Sequence, residues 1–359
     1  MKVLHIAETV KGGVGTIINS LLKIEEVDSL VIAPNDQGNI IKGTVVNFSR
    51  KGRTIVSLIR LALKSIRTIK KEKPNVIHLH STFAGLVIRI LYAIKILRKN
   101  DVKIIYTPHA FSFLRDTSSL NKKIYGAIET YLSQYTDKII CTSIYEFNQG
   151  VKYGLDESKM QVIYNGVDLK KINLEFDGVY DQENHRKINI LFLGRFDYQK
   201  GYDRLIYLIE NLDGNKFHFN VIGDAVHDQV IKVDKSNVSY HGWVEFCGLK
   251  NFFLDSDFMI MPSRWESFGL VAVESQCYGL PVLASKCSSL PEVVDDGNTG
   301  VLLDFSDLDN VVDFITRSNK NFWNNKKDSC KAFVYSKFSE DKMNSEYLSL
   351  YKDKLGELI

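Results

Sequence analysis

Apolar positions in the first part of the chain fall into short β-rich runs: KVLHIA, SLVIAP, TVVNF, NVIHLH, VKIIYTP, KIICTS and MQVIYN. Several are followed by stretches whose apolar residues recur every three or four positions, as in VGTIINSLLK, Ile55 to Lys71 and FAGLVIRILYAIKIL. Strands alternating with helices of that length predict a parallel sheet covered by helices on both faces. The rhythm restarts at INILFLG and continues through a helix from about Gly201 to Asn211, then FHFNVIG, NVSYHG and a helix at Cys247 to Leu254. DFMIMP, a helix from Gly269 to Gly279, PVLAS and GNTGVLL complete it. Between the two series lies a segment of low apolar content, Val167 to Lys187. The expected organisation is therefore α/β, with two tandem Rossmann-like, doubly wound domains. A first domain covers 1–170, a linker 171–187 and a second domain 188–338, followed by a helical tail, 339–359, that could pack on either domain.

Composition narrows the class. The 359 residues, 45% hydrophobic and 25% charged, suit about two globular domains and exclude disorder, collagen and coiled coil. The longest apolar stretch, Leu86 to Leu97, is interrupted by Arg89 and Lys95 and is too short for a bilayer. The chain opens on a strand-like run that meets Glu8 and two glycines, unlike a secretory signal, so a cytoplasmic protein is expected. Cys141, Cys247, Cys277, Cys287 and Cys330 lack C-x-x-C pairing and read as reduced core residues. Charge is divided unevenly: residues 1–165 carry +11 and the remainder −8, within a whole-chain +3. Such a basic half suits an anionic substrate, an anionic membrane surface or nucleic acid.

Ligands of open parallel sheets sit beyond the carboxyl ends of the strands, so the residues there are the candidates. After the first strand comes Lys11-Gly12-Gly13-Val14-Gly15-Thr16. It opens a helix and would let a phosphate or sugar approach the backbone, or it is a tight structural turn. It fits neither the dinucleotide G-x-G-x-x-G pattern nor a phosphate-binding GK[ST] loop. FLGRFDYQKG places Arg195 and Lys200 after a strand, where two cations could clamp a diphosphate or lie solvated. In PSRWESFGLVAVESQC, Glu266 sits ahead of a helix expected to begin near Phe268, and Glu274 lies two turns in among apolar neighbours. Glu274 needs a partner there, either a ribose diol or a structural cation. His109, in YTPHAFSFL, stands at another strand end.

Taken together, GGVG, the histidine after TP, GRFDYQKG, the E-x7-E in SRWESFGLVAVE, GLPVLAS and PEVVDDGNTG resemble the family 4 glycosyltransferases, retaining enzymes of the GT-B fold. The resemblance covers nearly the whole chain and is most specific from Ile188 to Leu303. It implies two Rossmann-like domains facing across a cleft, the second holding a nucleotide-sugar, usually UDP-linked, and the first most of the acceptor site. Arg195 and Lys200 would then bind the diphosphate, and Glu266 the donor-sugar hydroxyls. The amides around Phe268, Gly269 and Leu270 would meet sugar and phosphate, Glu274 would hold the ribose, and Gly13 would line the donor site. The base would lie near Trp243 and Val244. His109 matches the family histidine beside the reacting sugar, with Gly12 and His80 as acceptor-side candidates.

His78 and His80 form an H-x-H in which no third metal ligand is apparent. Asp255-Ser256-Asp257 matches the D-x-D by which another fold holds manganese, yet it precedes a buried run and reads as a turn. No metal or cofactor is therefore expected beyond the nucleotide-sugar substrate. Arg60, Lys64, Arg67, Lys70 and Lys71 alternate with Ile55, Leu58, Ile59, Ala62, Ile66 and Ile69. This is an amphipathic helix whose cationic face is either solvated or docks on anionic lipid at the inner face of the cell membrane. The expectation is a transfer of a hexosyl or N-acetylhexosaminyl unit to a hydroxyl of a bacterial surface glycan, with a lipid-linked acceptor. Its rivals are a UDP-sugar epimerase or hydrolase on the same fold, and a non-enzymatic nucleotide- or nucleic-acid-binding protein. The last lacks aromatics among its basic residues, so no nucleic-acid partner is expected.

Overall fold

The computed structural model describes residues 1–98, 102–169, 187–225 and 232–353. Contacts divide the chain into two compact units, Met1–Gly166 joined by the chain from Glu340, and Val167–Ser339. All but one residue of the expected linker, 171–187, lies outside the described residues.

Seven parallel strands build the first unit, in the order β3-β2-β1-β4-β5-β6-β7. They are β1 (Lys2–Ala7), β2 (Asp28–Pro34), β3 (Val45–Phe48), β4 (Val76–His80), β5 (Lys103–Thr107), β6 (Lys138–Cys141) and β7 (Met160–Val162). β1, β4 and β5 are almost wholly buried, as strands covered on both faces must be. One face packs Leu4, Ile6, Ile77, Leu79 and Ile104 against Leu61 of helix α2 (Ile55–Glu72) and Ala84 and Ile88 of α3 (Thr82–Ala93). The opposite face packs Val3, Val76, Ile105 and Ile140 against Ile17 and Leu21 of α1 (Gly13–Leu21). Met343, Tyr347 and Tyr351 join that second cluster, so the C-terminal helix belongs to this unit, a choice that the sequence left open.

Three features differ from the expectation. Helices α4 (Ser119–Ser133) and α5 (Ile144–Lys152) connect the last strands, where the sequence reading marked only strands. α3 stops at Ala93, and it buries Arg89 completely, with the guanidinium 4.0 Å from the Tyr106 ring centroid and 2.8 Å from Glu129. In α2 the buried residues are Ser57, Leu61, Ser65 and Thr68, whereas Ile55 is 78% and Ile59 52% exposed. The apolar residues of this amphipathic helix thus divide, with Ala62, Ile66 and Ile69 against the core and Ile55 and Ile59 on the surface.

The second unit holds six parallel strands ordered β10-β9-β8-β11-β12-β13. They are β8 (Ile188–Leu193), β9 (Phe217–Ile222), β10 (Val238–Gly242), β11 (Phe258–Met261), β12 (Val282–Ser285) and β13 (Gly300–Leu303). Helices α6 (Tyr202–Asn211), α7 (Phe246–Asp255), α8 (Leu270–Cys277) and α9 (Leu290–Val293) connect them. α10 (Leu308–Arg317), α11 (Lys320–Asn324) and α12 (Lys327–Lys337) follow, and α13 (Glu340–Lys352) is the helix that returns to the first unit. Ile190, Phe192, Phe219, Phe258, Ile260, Leu283 and Trp323 form the core. Strand order reverses between β1 and β4 in one unit and between β8 and β11 in the other. Loops diverge at such points and leave room for a ligand.

Candidate functional site

At the β8/β11 reversal, the turn into α6 lies against the end of β11. Gly201 has φ 67°, and a Cβ there would fall 2.2 Å from the Pro262 carbonyl oxygen, so only glycine permits the approach. This closeness brings the Lys200 ammonium within 2.5 Å of Glu266 Oε1, which also accepts from Ser263 Oγ at 2.9 Å. The Glu266 amide donates to Ser288 Oγ and its carbonyl accepts from Ser289 Oγ. Glu266 is therefore buried and tied through both its side chain and its backbone. Arg195 donates to Gln199 Oε1 at 2.8 Å and lies 3.2 Å from Asp197. Neither expected cation is bare. Each still has N–H groups to spare, since an ammonium offers three donors and a guanidinium five.

Helix α8 begins at Leu270, two residues beyond the expected start, with Gly269 at φ 93°. Phe268 is core, edge-on to Phe338. The amides without an intrahelical acceptor thus begin at Leu270. Glu274 is buried in the second turn, and burial raises its carboxyl to about 7. Among the described residues it has no hydrogen-bond or ion-pair partner. Trp243, just past β10, is 62% exposed, and Val244 is partly buried. Asp257 accepts from the Asn189 amide at 2.8 Å and lies 3.6 Å from Lys320, while Asp255 ends α7. These are structural roles.

At the β1/β4 reversal, Gly12 caps α1 with φ 70°, and Gly13 is its exposed first residue. Parallel register places His5 opposite His78 and Ala7 opposite His80. Alternation puts His5, His78, His80 and Thr107 on the α13 face. His5 Nδ1 is 3.0 Å from His80 Nε2, and His80 Nδ1 is 3.1 Å from His109 Nε2. His78 lies 3.9 Å from the His80 ring and bonds Tyr351 Oη and Thr107 Oγ1, each at 2.8 Å. Burial lowers His5 to about 3 and His109 to about 4, and holds His78 and His80 well below the usual range. All four rings are neutral at physiological pH. His80 is fully buried, so it does not line an acceptor surface as expected.

His5 was invisible to the sequence reading, because only sheet register joins it to the H-x-H. It supplies the third nitrogen that reading lacked: His5, His78 and His80 each place one within 4.8 Å of the others. Both nitrogens of His78 and of His80 are already hydrogen-bonded, however, and an ion would have to break those bonds. The backbone is strained where the histidines emerge, with φ 71° at Ser81, 53° at His109 and 147° at Ala110. Residues held so cluster at functional sites.

Two family models match, Glycosyltransferase Family 4 over residues 12–171 and Glycosyl transferases group 1 over 180–333. A Klebsiella pneumoniae protein described as an uncharacterized 41.2 kDa protein in the cps region is 48% identical, over 98% of this chain and 99% of that one. The Escherichia coli UDP-Gal:alpha-D-GlcNAc-diphosphoundecaprenol alpha-1,3-galactosyltransferase is 24% identical, over 84% of this chain and 79% of its own. Anabaena HepE, solved in complex with UDP and glucose, superposes with a TM-score of 0.76 at 17% identity, over 98% of this chain and 99% of its own, which shows a shared GT-B fold. The chain belongs to the glycosyltransferases, with a family 4 domain followed by a group 1 domain, each a parallel-sheet α/β unit of the GT-B type.

Proposed function

We propose that this protein is a retaining glycosyltransferase that moves a hexosyl or N-acetylhexosaminyl unit from a UDP-sugar to a hydroxyl of a lipid-linked surface glycan. The carrying observation is the largely buried Lys200–Glu266–Ser263 cluster in the same unit as Glu274, which has no partner among the described residues. A carboxylate braced by an ammonium and a hydroxyl is rigid enough to orient sugar hydroxyls, and a second carboxylate without a protein partner suits a ribose diol. Lys200 and Arg195 would meet the diphosphate, the first-turn amides of α8 the sugar and phosphate, Trp243 and Val244 the base, and Gly13 the donor sugar. His109 would stand by the reacting centre. The C1–O bond to the diphosphate breaks as the acceptor oxygen bonds C1 on the same face, and a departing phosphate oxygen takes the acceptor proton. Catalysis then rests on positioning and on charge stabilisation. UDP as the nucleotide is supported by the HepE complex, and a diphosphate-lipid acceptor by the name of the Escherichia coli relative.

The first unit's surface supports a peripheral docking on the membrane as part of this reading. No helix among the described residues is long and apolar enough to cross a membrane. α2 instead exposes Ile55, Ile59 and Leu63 beside Arg60 and Arg67. α4 exposes Leu120, Ile124 and Ile128 near Lys122 and Lys123. Apolar stripes rimmed by cations suit the interface of an anionic leaflet. The transferase reading is tested by UDP release from a panel of nucleotide-sugars with and without lipid-linked glycan. Release only from a UDP-sugar, and only with acceptor, is expected; acceptor-independent release would make it a hydrolase.

A further inference from the structure

Arg264 fastens the loop that carries Glu266 to the loop that carries Lys200. It stands between the end of β11 and Glu266, and its amide donates to the Gln199 carbonyl at 2.8 Å. One guanidinium nitrogen donates to the Tyr198 carbonyl at 2.9 Å and to Asp203 Oδ1 at 2.7 Å, and the other donates to Asp203 Oδ2 at 2.6 Å. The guanidinium carbon lies 3.6 Å from the Tyr198 ring centroid. Tyr198, Gln199 and Asp203 flank Lys200, so each of these contacts is made to the segment that carries the ammonium.

An exposed ion pair is usually worth little, because two long side chains must be ordered against a high dielectric. This pair departs from that rule. Its two parallel N–H···O bonds match a planar fork to a carboxylate, the Arg264 side chain is only 18% exposed, and the Tyr198 ring holds the guanidinium plane from one face. A lysine there would keep the charge but neither the fork nor the plane. A second link runs alongside: Gln199 donates to the Trp265 carbonyl at 3.2 Å while its Oε1 accepts from Arg195. The Lys200 ammonium rides on a flexible four-carbon stem, so its place depends on where its loop is held.

We propose that Arg264 is a positioning residue for the diphosphate-binding cations, which keeps the Lys200 loop in register with the Glu266 loop through Asp203, Tyr198 and Gln199 and acts on the nucleotide only through Lys200. The inference rests on the reading of Lys200 as a diphosphate ligand. It makes Asp203, whose side chain is 58% exposed, part of the same device.

The test compares UDP with uridine by titration calorimetry on the intact protein and follows amide hydrogen exchange over residues 197–203. Arg264→Lys and Asp203→Asn should melt within a few degrees of wild type, weaken UDP binding on the order of fivefold, leave uridine binding unchanged and speed exchange in the Lys200 loop. In a Lys200→Ala background, Arg264→Lys should cause no further loss, because effects that pass through one group do not add. A merely structural residue would weaken both ligands and add its loss to that of Lys200→Ala. That result, or unchanged UDP binding in Arg264→Lys, would overturn the proposal. Asp203 is exposed enough for Asp203→Asn to carry the same comparison if Arg264→Lys fails to fold. Wild-type UDP affinity in Lys200→Ala alone would count against the diphosphate reading instead, and unchanged exchange in Arg264→Lys would then overturn the positioning claim as well.

Discussion

The two units place their candidate groups at equivalent points, the reversal of strand order, yet fill them with opposite chemistry. In the second unit the site is ionic: an ammonium against a carboxylate, a guanidinium nearby and a carboxyl whose ionisation falls near neutrality. At the first unit's reversal stand four imidazoles that burial keeps neutral and that bond to hydroxyls and to one another, with the nearest buried charge, Glu8, neutralised by Arg50 at 2.8 Å. A group that must meet a diphosphate gains from charge. One that must hold a hydroxyl beside a reactive centre gains from direction, which neutral hydrogen bonds supply without attracting counter-ions.

The largest effect expected from breaking this contrast is at Glu266. Glu266→Gln should lower turnover by about a hundredfold or more, the scale of losing a polar transition-state contact, while the protein still folds. Glu266→Ala should also melt earlier, because it leaves the Lys200 ammonium without its partner in a mostly buried place. Near-normal kcat in a folded Gln variant would remove Glu266 from the chemistry.

Acid should separate the units next. The histidines of the first unit have folded values below the unfolded 6.5, so their unfolded forms bind more protons and stability falls as pH drops from 6.5 through about 4. Glu274 has the opposite sign: its folded value, about 7, exceeds 4.5, and its contribution to stability declines as pH rises between them. Calorimetry should show the first unit losing stability selectively on acidification. UDP-sugar binding should weaken below about pH 7 as Glu274 takes up a proton, by at most about tenfold per pH unit. Glu274→Gln should flatten that dependence, and an unchanged slope would detach the ribose from this residue.

Charge removal within the second unit sharpens the comparison further. Lys200→Ala should weaken UDP-sugar binding by roughly tenfold or more. Arg195→Ala, whose side chain is 42% exposed, should cost less. Equal affinity in the double variant would move the diphosphate elsewhere. The smallest effect per residue is on the surface of the first unit, where each cation near anionic lipid contributes on the order of 1 kcal/mol. Neutralising Arg60, Lys64, Arg67, Lys70 and Lys71 should raise the fraction that stays off anionic vesicles at low salt, and Ile59→Ser with Leu63→Ser should do so at high salt. Vesicle binding unchanged in both variants would leave the exposed stripe without a lipid partner.

How much of this was legible in the sequence follows the same division. The ionic site is written in compact segments, because Lys200 and Glu266 each follow a strand run and precede a glycine-marked helix start, so period and punctuation locate them. What the sequence could not convey is that they pair with each other, since that depends on Gly201 meeting Pro262. The imidazole chain is assembled from β1, β4 and the residues past β5, with Tyr351 arriving from the far end of the chain. His78 and His80 alternate visibly with Ile77 and Leu79. Nothing local tells that His5 stands opposite them. α2 misled for a related reason: its spacing is helical, but Ser57, Ser65 and Thr68 face inward, and apolar spacing alone cannot say which face meets the core.

The most direct test of the account is to follow labelled sugar from a UDP-sugar into a lipid-diphosphate-linked glycan with purified protein, and to read the new anomeric configuration by NMR. The account predicts acceptor-dependent transfer with the donor's α configuration kept. Inverted product, or consumption of donor with no label in the glycan, would contradict it.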